Sequence, residues 1–354
     1  MGSIIPLKIN FIMMKQFFLP LLLTLTSCST MNVTLTVLEP AQINVPRGIR
    51  SLAVVNRSLP AKEEKVKNVL EGVITGEGLF ADRAGSFECV RGVADGLVSS
   101  PRFTVVVPPE NELNGTGTRQ FPSPLDWNTV ERICRQNQTD ALLSLEVFDS
   151  NNLYSDRKEQ RTRKENDREV KYEVTITHVR SNIESGWRIY DPANRQIIDE
   201  SIFTDYREWE AEGRSHKEAL VNLLPQNEIV KQAGYFAGTQ YARRISPSWI
   251  HTGREMYKKG NDDMKYAKRL AQTNRWEEAA DVWRKYTDDP DSKLAGRACY
   301  NMALAAEIAG NLQEAIEWAE KSYVRYNNKK AREYSYILKN RLNRQQRLDE
   351  QMGE

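Results

Sequence analysis

Three histidines, His178, His216 and His251, are the side chains of this sequence best suited to bind a metal or to transfer protons near neutral pH. They fall on separate predicted elements and lack the spacing of metal ligands. The sequence contains neither Gly-x-Ser-x-Gly, which presents a nucleophilic serine, nor His-Glu-x-x-His, which binds zinc. We therefore expect neither a metal nor a cofactor.

Paired carboxylates are the other residues that could support catalysis. Asp199 and Glu200 are adjacent, and Glu146 and Asp149 lie close together near the end of a predicted strand. A glycoside hydrolase needs two carboxyl groups held roughly 5–10 Å apart, and the sequence places no pair across a cleft. Solvated faces and strand ends account for these carboxylates without catalysis. The sequence thus favours a non-enzymatic protein, with a glycan-processing envelope enzyme as an alternative.

Cys28 carries the most specific chemical signal. It follows Leu25-Thr26-Ser27 at the end of the apolar run Phe17–Leu25, and Lys15 places a positive charge before that run. This segment resembles a bacterial lipobox, whose cysteine receives a diacylglycerol and becomes the acylated amino terminus after cleavage. The run is too short to cross a hydrocarbon layer of about 30 Å. The resemblance implies a signal peptide over residues 1–27 and a lipid anchor on Cys28, whichever of Met1, Met13 and Met14 starts translation.

The composition fits a globular protein of two domains. Of the 354 residues, 40% are hydrophobic and 28% are charged. Lysine and arginine number 50 against 48 acidic residues, so the net charge of +2 gives no reason to expect a nucleic acid as partner. Apart from Cys28, only Cys89–Cys134 is a plausible disulfide pairing, because Cys299 falls in a different module. Buried free thiols are the favoured interpretation.

The C-terminal third contains an internal repeat. The segment Asn274–Tyr286 matches Gly310–Ser322 at an offset of 36, and the second unit resembles a tetratricopeptide repeat (TPR). Small residues such as Ala303 and Ala315 stand where two antiparallel helices would cross. About three such units are usually needed for stability, so residues 331–348 are expected to form a capping helix.

The segment between residues 49 and 245 has a mixed pattern. Short apolar runs predict buried strands, and an alternating run predicts a half-buried one. The expected order is β-α-α-β-α-β-β-β-β, followed by a helix near Ile229–Ile245. The predicted strands are 51–55, 103–107, 141–148, 172–178, 187–190 and 197–203, and the predicted helices contain Val66–Val73, Phe87–Leu97 and Trp127–Cys134. Residues 151–168 are densely charged, which predicts a solvated loop or a flexible strand extension.

This order and several short motifs resemble the envelope α/β domain found in the N-terminal part of TolB and in the lipoproteins CsgG and LpoB. The motifs are Ser99–Val106, Thr139–Leu143 and Arg188–Ile198. The last contains the turn Asp191-Pro-Ala-Asn-Arg195, where that group usually has Thr-Gly. Combined with the lipobox and the repeat, the chain looks like a Bacteroidota-type family of outer-membrane lipoproteins.

The sequence therefore predicts an α+β protein, with an N-terminal mixed α/β sandwich domain followed by an all-α TPR-like helical repeat. The expected boundaries are 1–27 signal peptide, 28–46 tether with room for one edge strand, 47–250 α/β envelope domain and 251–354 repeat with its capping helix. Ser29 and Thr30 after Cys28 resemble an outer-membrane sorting signal, and the late first acid, Glu39, favours the periplasmic face over the cell surface.

The expected function is a periplasmic adaptor that binds a protein partner through the TPR-like groove, with the membrane contacted through the lipid. In tetratricopeptide repeats, which this segment resembles, outward-facing residues of the first helix of each unit contact the bound partner. Those positions are Met264, Lys268, Arg297, Tyr300, Leu304 and Glu307. For Tyr300 and Leu304, burial against the capping helix or the α/β domain is the alternative. A subunit of an assembly or secretion complex resembling CsgG is the third candidate function.

Overall fold

The computed structural model describes residues 29–60, 76–109, 112–117 and 119–353. The predicted signal peptide, Cys28 and the helix predicted at Val66–Val73 lie outside these residues. In chain order the elements are β1 (Thr30–Glu39), β2 (Ser51–Pro60), α1 (Gly76–Val98), β3 (Thr104–Val106), β4 (Glu112–Gly115), α2 (Trp127–Asn137), β5 (Ala141–Glu165), β6 (Arg168–Asp191), β7 (Gln196–Gly213), α3 (His216–Asn222), α4 (Gln226–Ile245), β8 (Ser248–Tyr257), α5 (Asp262–Gln272), α6 (Trp276–Arg284), α7 (Ser292–Ile308), α8 (Leu312–Val324) and α9 (Lys329–Met352).

Strands β2 to β7 form one mixed sheet in the order β3-β2-β5-β6-β7, with β4 also paired to β2. Strand β2 runs parallel to β3, β4 and β5, whereas β5, β6 and β7 are antiparallel. Leu52 and Val54 of β2 face one core and Ala53 and Val55 face the other, so the strand is buried on both sides. A strand that is apolar on both faces needs helices above and below it.

Helices α1 and α4 cover one face of this sheet, and α2 covers the other. Asp126 caps α2, because its side chain accepts a hydrogen bond from the Thr129 amide at 2.9 Å. The mixed sheet and the helical C-terminal region confirm the predicted α+β class. Cys89 and Cys134 belong to the two opposite cores, and with Cys299 they are buried free thiols rather than a disulfide.

Small residues bring α1 and α4 into very close contact. A Cβ atom added to Gly92 would lie 2.1 Å from the Tyr235 carbonyl oxygen, and one added to Gly238 would lie 2.0 Å from that of Cys89. A Cβ atom added to Gly234 would likewise lie 2.3 Å from the Gly85 carbonyl oxygen. The Gly234-x3-Gly238-x3-Ala242 spacing puts all three on one face of α4, which lets the two backbones touch.

The longest structure in the sheet is the β5–β6 hairpin. The separate strands predicted at residues 172–178 and 187–190 are one strand, β6, and residues 151–165 continue β5 as a regular extension rather than a loop. Asn166 and Asp167 have positive φ angles of 51° and 61°, as a two-residue hairpin turn requires. We call residues 151–173 the arm. Its exposed faces carry both charge signs, with Lys158 paired to Glu173 at 2.8 Å.

Strands β1 and β8 form a separate antiparallel pair, here called the ribbon, with Thr30 opposite Tyr257 and Glu39 opposite Ser248. Within the expected tether, residues 28–46, residues 30–39 form strand β1, in the place where one edge strand was allowed for. Met31, Val33 and Leu35 point from β1 into the core of the helical repeat. The ribbon also crosses the predicted domain boundary at residue 250, since β8 packs with the repeat that follows it.

Helices α5–α6 and α7–α8 form two helical hairpins, as the repeat predicts, and α9 packs on α8 as the expected capping helix. The turn between α7 and α8 contains Gly310, whose φ of +85° suits glycine. Among the described residues, no helix is long and apolar enough to span a membrane.

Replacing Gly238 with alanine should destabilise the protein, because the new methyl group would overlap the Cys89 carbonyl oxygen. Overpacking of this kind costs about 1–3 kcal/mol or more, which exceeds the gain of about 1 kcal/mol from alanine's helix propensity. Urea unfolding of Gly238→Ala measures this. The matched control is Gly253→Ala in β8, where nothing lies within 4 Å of the new atom. Equal stability of the two variants would contradict the close α1–α4 contact.

Candidate functional site

The structure places the six expected partner-binding residues in two environments. Lys268 and Arg297 are partly exposed. The other four are buried, with exposed fractions of 0% for Met264, 4% for Tyr300, 0% for Leu304 and 1% for Glu307. They form core with the ribbon residues Met256 and Tyr257 or bind the ribbon directly. The prediction that these four line an open groove is therefore wrong, because this chain's own ribbon fills that face.

The ribbon is tied to α7 by polar as well as aromatic contacts. The Asn301 side chain accepts a hydrogen bond from the Tyr257 amide and donates one to the Tyr257 carbonyl, both at 2.9 Å. It thus satisfies both backbone groups of the last ribbon residue, as a neighbouring strand would. The Tyr300 ring packs between those of Tyr257 and Tyr334, at centroid distances of 5.1 and 5.0 Å.

Glu307 is the charged centre of this interface. Its buried carboxylate accepts hydrogen bonds from Arg254 Nε and Nη2 of β8, both at 2.9 Å, and from Tyr334 and Arg341 of α9 at 2.5 and 2.7 Å. Burial alone would raise the pKa of this carboxyl. The hydrogen bonds from Arg254 and Tyr334 and the positive charge of Arg254 outweigh burial, so the pKa lies below its usual 4.5. Glu307 is therefore a structural anion rather than a partner contact.

The carboxylates considered for catalysis each have their own cation or hydroxyl partner. Glu146, fully buried, binds Arg57 at 3.0 Å and the Tyr190 hydroxyl at 2.8 Å. Arg188 binds Glu200 at 2.7 Å and lies 3.9 Å from Glu146. These contacts pin the loop before α2, because Arg57 and Arg188 also donate to the carbonyls of Ser123 and Pro122.

Two further carboxylates are held in the same way. Asp149 accepts from Arg119 at 2.9 Å. Asp199 accepts from the Tyr241 hydroxyl at 2.9 Å and from Arg244 at 3.3 Å. The pKa of Tyr241 is raised well above its usual value by burial and by the adjacent Asp199 charge. Each of these two carboxylates is therefore paired with a cation of the same chain.

Each histidine contacts a different partner. His216 contacts Asp156 at 2.7 Å, His178 lies 3.7 Å from Glu208, and His251 bonds to Thr36 at 3.1 Å. Within the described part of the chain, no group of three or more histidine, cysteine, aspartate or glutamate residues could hold a metal ion.

An open cleft of 630 Å³ lies on another side of the repeat, between α6, the C-terminal half of α7 and the start of α8. Met302, Ala305 and Ala306 form an apolar floor, and Trp276 stands at one wall. The cleft is lined by Asn274, Arg275, Trp276, Glu277, Glu278, Ala280, Asp281, Arg284, Met302, Ala305, Ala306, Ile308, Ala309, Asn311 and Glu314.

The rim of this cleft is acidic. Four carboxylates stand there against the two guanidinium groups of Arg275 and Arg284. Arg275 pairs with Glu278 and Arg284 pairs with Asp281, so the excess charge resides on Glu277 and Glu314. Helix ends of both polarities line the cleft, the carbonyl end of α7 at Ile308 and Ala309 and the amide ends of α6 and α8 at Trp276 and Asn311, so the net negative charge comes from the carboxylates.

The apolar composition of α7 is the sequence feature that could have indicated the cleft. Apolar residues occupy every side of this helix, since the run Cys299–Ala306 is apolar apart from Asn301. A helix that is apolar all round must be covered on more than one face or must border an apolar depression. The TPR alignment assigns Ala303 to a helix crossing and Met302 to the space between helices, and it does not predict an open cleft beside them.

Comparisons with known proteins give a family. Residues 49–257 match the family described as Domain of unknown function (DUF8603), and this chain belongs to it. Residues 265–340 match a second description, Domain of unknown function (DUF6340). Neither description states a function.

Two solved structures are similar over part of the chain. The PelC dodecamer from Paraburkholderia phytofirmans is 12% identical with a TM-score of 0.24, and covers 61% of this chain and 99% of its own. A PelC dodecamer from the same organism, with one leucine replaced by methionine, is 10% identical with a TM-score of 0.23, at 60% and 99% coverage. A search of the curated proteins found no match.

Replacing Glu307 with glutamine should destabilise the protein by about 3–5 kcal/mol, because it leaves Arg254 and Arg341 without their buried anion. Since the folded pKa is lowered, this contribution is present above about pH 4.5 and is lost as pH falls through the folded pKa. Denaturant unfolding from pH 7 to pH 3 measures both effects.

Glu317→Gln on the exposed face of α8 is the control and should change stability by about 0.5 kcal/mol at most. A difference between wild type and Glu307→Gln that stays constant down to pH 3 would refute the charged role of Glu307.

Proposed function

We propose that this protein is a lipid-anchored, non-enzymatic adaptor on the periplasmic face of the bacterial outer membrane, and that it binds a protein partner at the α6–α8 cleft. The observation that carries the proposal is the cleft itself, with an apolar floor, an acidic rim and direct access from solvent. It replaces the α5–α7 groove as the binding surface.

The size and lining of the cleft suit a short segment of another protein. Binding sites for compact ligands usually enclose about 300–1,000 Å³, and 630 Å³ falls within this range. The buried floor of Met302, Ala305 and Ala306 would accept one large apolar side chain, and Trp276 offers an aromatic wall. Such an apolar anchor in a pocket with a polar rim is the usual arrangement of an energetic hot spot.

The charge of the rim selects the chemistry of the partner. Glu277 and Glu314 favour positive charge beside the apolar anchor. The occupant we propose is therefore a segment in which one large apolar side chain is flanked by lysine or arginine.

The lipid anchor is the second part of the proposal. It rests on the Leu25–Cys28 sequence after a short apolar run, which resembles a lipobox. Two or more acyl chains hold a protein to a membrane durably, whereas a single chain binds marginally.

Cys28→Ala should release the protein from the membrane fraction, because alanine offers no thiol for the lipid. Fractionation of expressing cells, with a carbonate wash of the membranes, measures this. Ser27→Ala keeps a small residue before the cysteine and should remain membrane-bound. Cys28→Ala that still sediments as an integral membrane protein would refute the lipid anchor.

Peptide binding tests the cleft directly. The probes are two synthetic 12-residue peptides, each with one central leucine, flanked by lysines in one and by glutamates in the other. The purified lipidated protein in detergent should bind the lysine peptide at least tenfold more tightly by calorimetry. Glu277→Lys combined with Glu314→Lys should abolish this preference by reversing the charge of the rim.

Glu317→Lys, on an α8 position that does not line the cleft, is the charge-matched control and should keep the preference. Filling the cleft with Ala309→Phe should weaken binding of both peptides. Equal binding of the two peptides to wild type, or an unchanged preference in the double variant, would refute the cleft as a site for basic segments.

A further inference from the structure

The folded body begins at once after the cysteine that resembles a lipid anchor. Ser29 is the first described residue, and its carbonyl oxygen accepts a hydrogen bond from the Lys258 amide at 3.1 Å. Thr30 then pairs with Tyr257. Adjacent Cα atoms are about 3.8 Å apart, so a lipid attached one residue before Ser29 would start beside the Tyr257 end of the ribbon. A lipid on Cys28 would bring this end of the protein to the membrane surface.

Three chain segments meet at this end of the ribbon. Arg297 of α7 donates to the Lys259 carbonyl at 3.0 Å, and its guanidinium lies 5.4 Å from the centre of the Tyr257 ring. The Tyr257 hydroxyl bonds to Asn328, the residue before α9, at 3.0 Å. The loop after β8, the start of α7 and the start of α9 thus form one continuous surface, which we call the basal surface.

The basal surface is basic. Its three segments, residues 256–261, 293–300 and 325–330, contain no aspartate or glutamate. Their cations are Lys258, Lys259, Lys293, Arg297, Arg325, Lys329 and Lys330. At the border, Lys330 pairs with Glu255 and Arg325 lies 3.6 Å from Asp288. Further carboxylates border the segments, Asp262 and Asp263 at the start of α5 and Asp289 and Asp291 before α7. Within the three segments themselves the side-chain charge is positive.

We infer that the basal surface lies on the anionic phosphate headgroups of the membrane that holds the lipid anchor, and that it fixes the orientation of the body on that membrane. The inference rests on the anchor at Cys28 in the proposed function. A lipid chain combined with a cluster of basic residues is an effective pair of membrane signals. Electrostatic attraction to the headgroups acts within about 10 Å at 0.1 M salt, and the short Cys28–Thr30 connection keeps the surface in that range.

The orientation has a geometric signature. Strand β8 runs from Ser248 to Tyr257, so Trp249 lies eight residues from the basal end, roughly 26 Å along the strand. Ser292 is exposed at the start of α7, beside Lys293. A reporter on residue 292 should therefore lie near the headgroups and a reporter on residue 249 should not.

The experiment uses full-length lipidated protein in vesicles of phosphatidylethanolamine with 30% phosphatidylglycerol. Ser292→Cys and Trp249→Cys are each labelled with a fluorophore, which the buried Cys89, Cys134 and Cys299 should take up poorly. A quencher attached to lipid headgroups should quench the label at 292 several-fold more than the label at 249. Adding Lys293→Glu and Lys329→Glu should remove this difference. A salt concentration of 1 M should do the same, because electrostatic attraction then extends only about 3 Å.

The matched control carries Lys268→Glu and Lys339→Glu, which reverse two lysines outside the basal segments and should leave the difference intact. Equal quenching at 292 and 249, or no effect of the basal reversals, would overturn the inference. A missing lipid anchor gives a different result, because wild-type protein would then not float with the vesicles. That result would refute both the anchor and the inference. Vesicles that carry the protein without a preferred orientation would refute the basal surface alone.

Discussion

The arrangement of the C-terminal half depends on one buried carboxylate. Glu307 of α7 binds Arg254 of β8 and Tyr334 and Arg341 of α9, so a single side chain joins three elements. An unpaired charge in this position would be strongly unfavourable, and its partners therefore have little freedom to move. Successive side chains of a strand point to opposite faces, so a slip of β8 by one residue would turn Arg254 away from Glu307. The carboxylate thereby sets the register of β8, and β8 in turn sets that of β1.

The ribbon also connects the two halves of the chain. Strand β1 precedes the α/β domain and β8 follows it, so this domain is inserted between the two strands of the ribbon. The far end of α9 returns to the β1–β2 connection, where the Gln351 amide both donates to and accepts from the backbone of Ala41. The interface between the ribbon and the helical repeat thus has a side-chain amide at each end. Asn301 bonds to the backbone of Tyr257 at one end, and Gln351 bonds to the backbone of Ala41 at the other. The repeat is too short to be expected to fold alone, and the ribbon supplies the apolar cover that further repeats would give.

Local patterns in the sequence are sufficient to predict many of the helices and strands. The TPR spacing locates α5 to α8, and the Asp191–Arg195 turn marks the β6–β7 hairpin correctly. The failures concern partners that are distant in sequence. Val33, Leu35 and Val37 alternate with polar residues, but nothing local identifies β8 as their partner. The TPR pattern likewise describes α5 and α7 without indicating that a strand pair covers them, so it assigns Tyr300 and Leu304 to a groove. The arm shows a different limit, because its charges predict solvation correctly but do not reveal that cross-strand ion pairs accompany a regular hairpin.

The separation of β1 from β8 has a consequence for how the protein folds. Thr30 and Glu255, whose side chains hydrogen-bond across the ribbon, lie 225 residues apart in the chain. Contacts of such long range form late, because the intervening chain must first become compact. Synthesis begins at the N-terminus, so β1 is made early. Its apolar side chains cannot be buried until β8 and α7 have also been made. The strand that is synthesised first is therefore among the last to be packed, and its apolar face stays exposed until then.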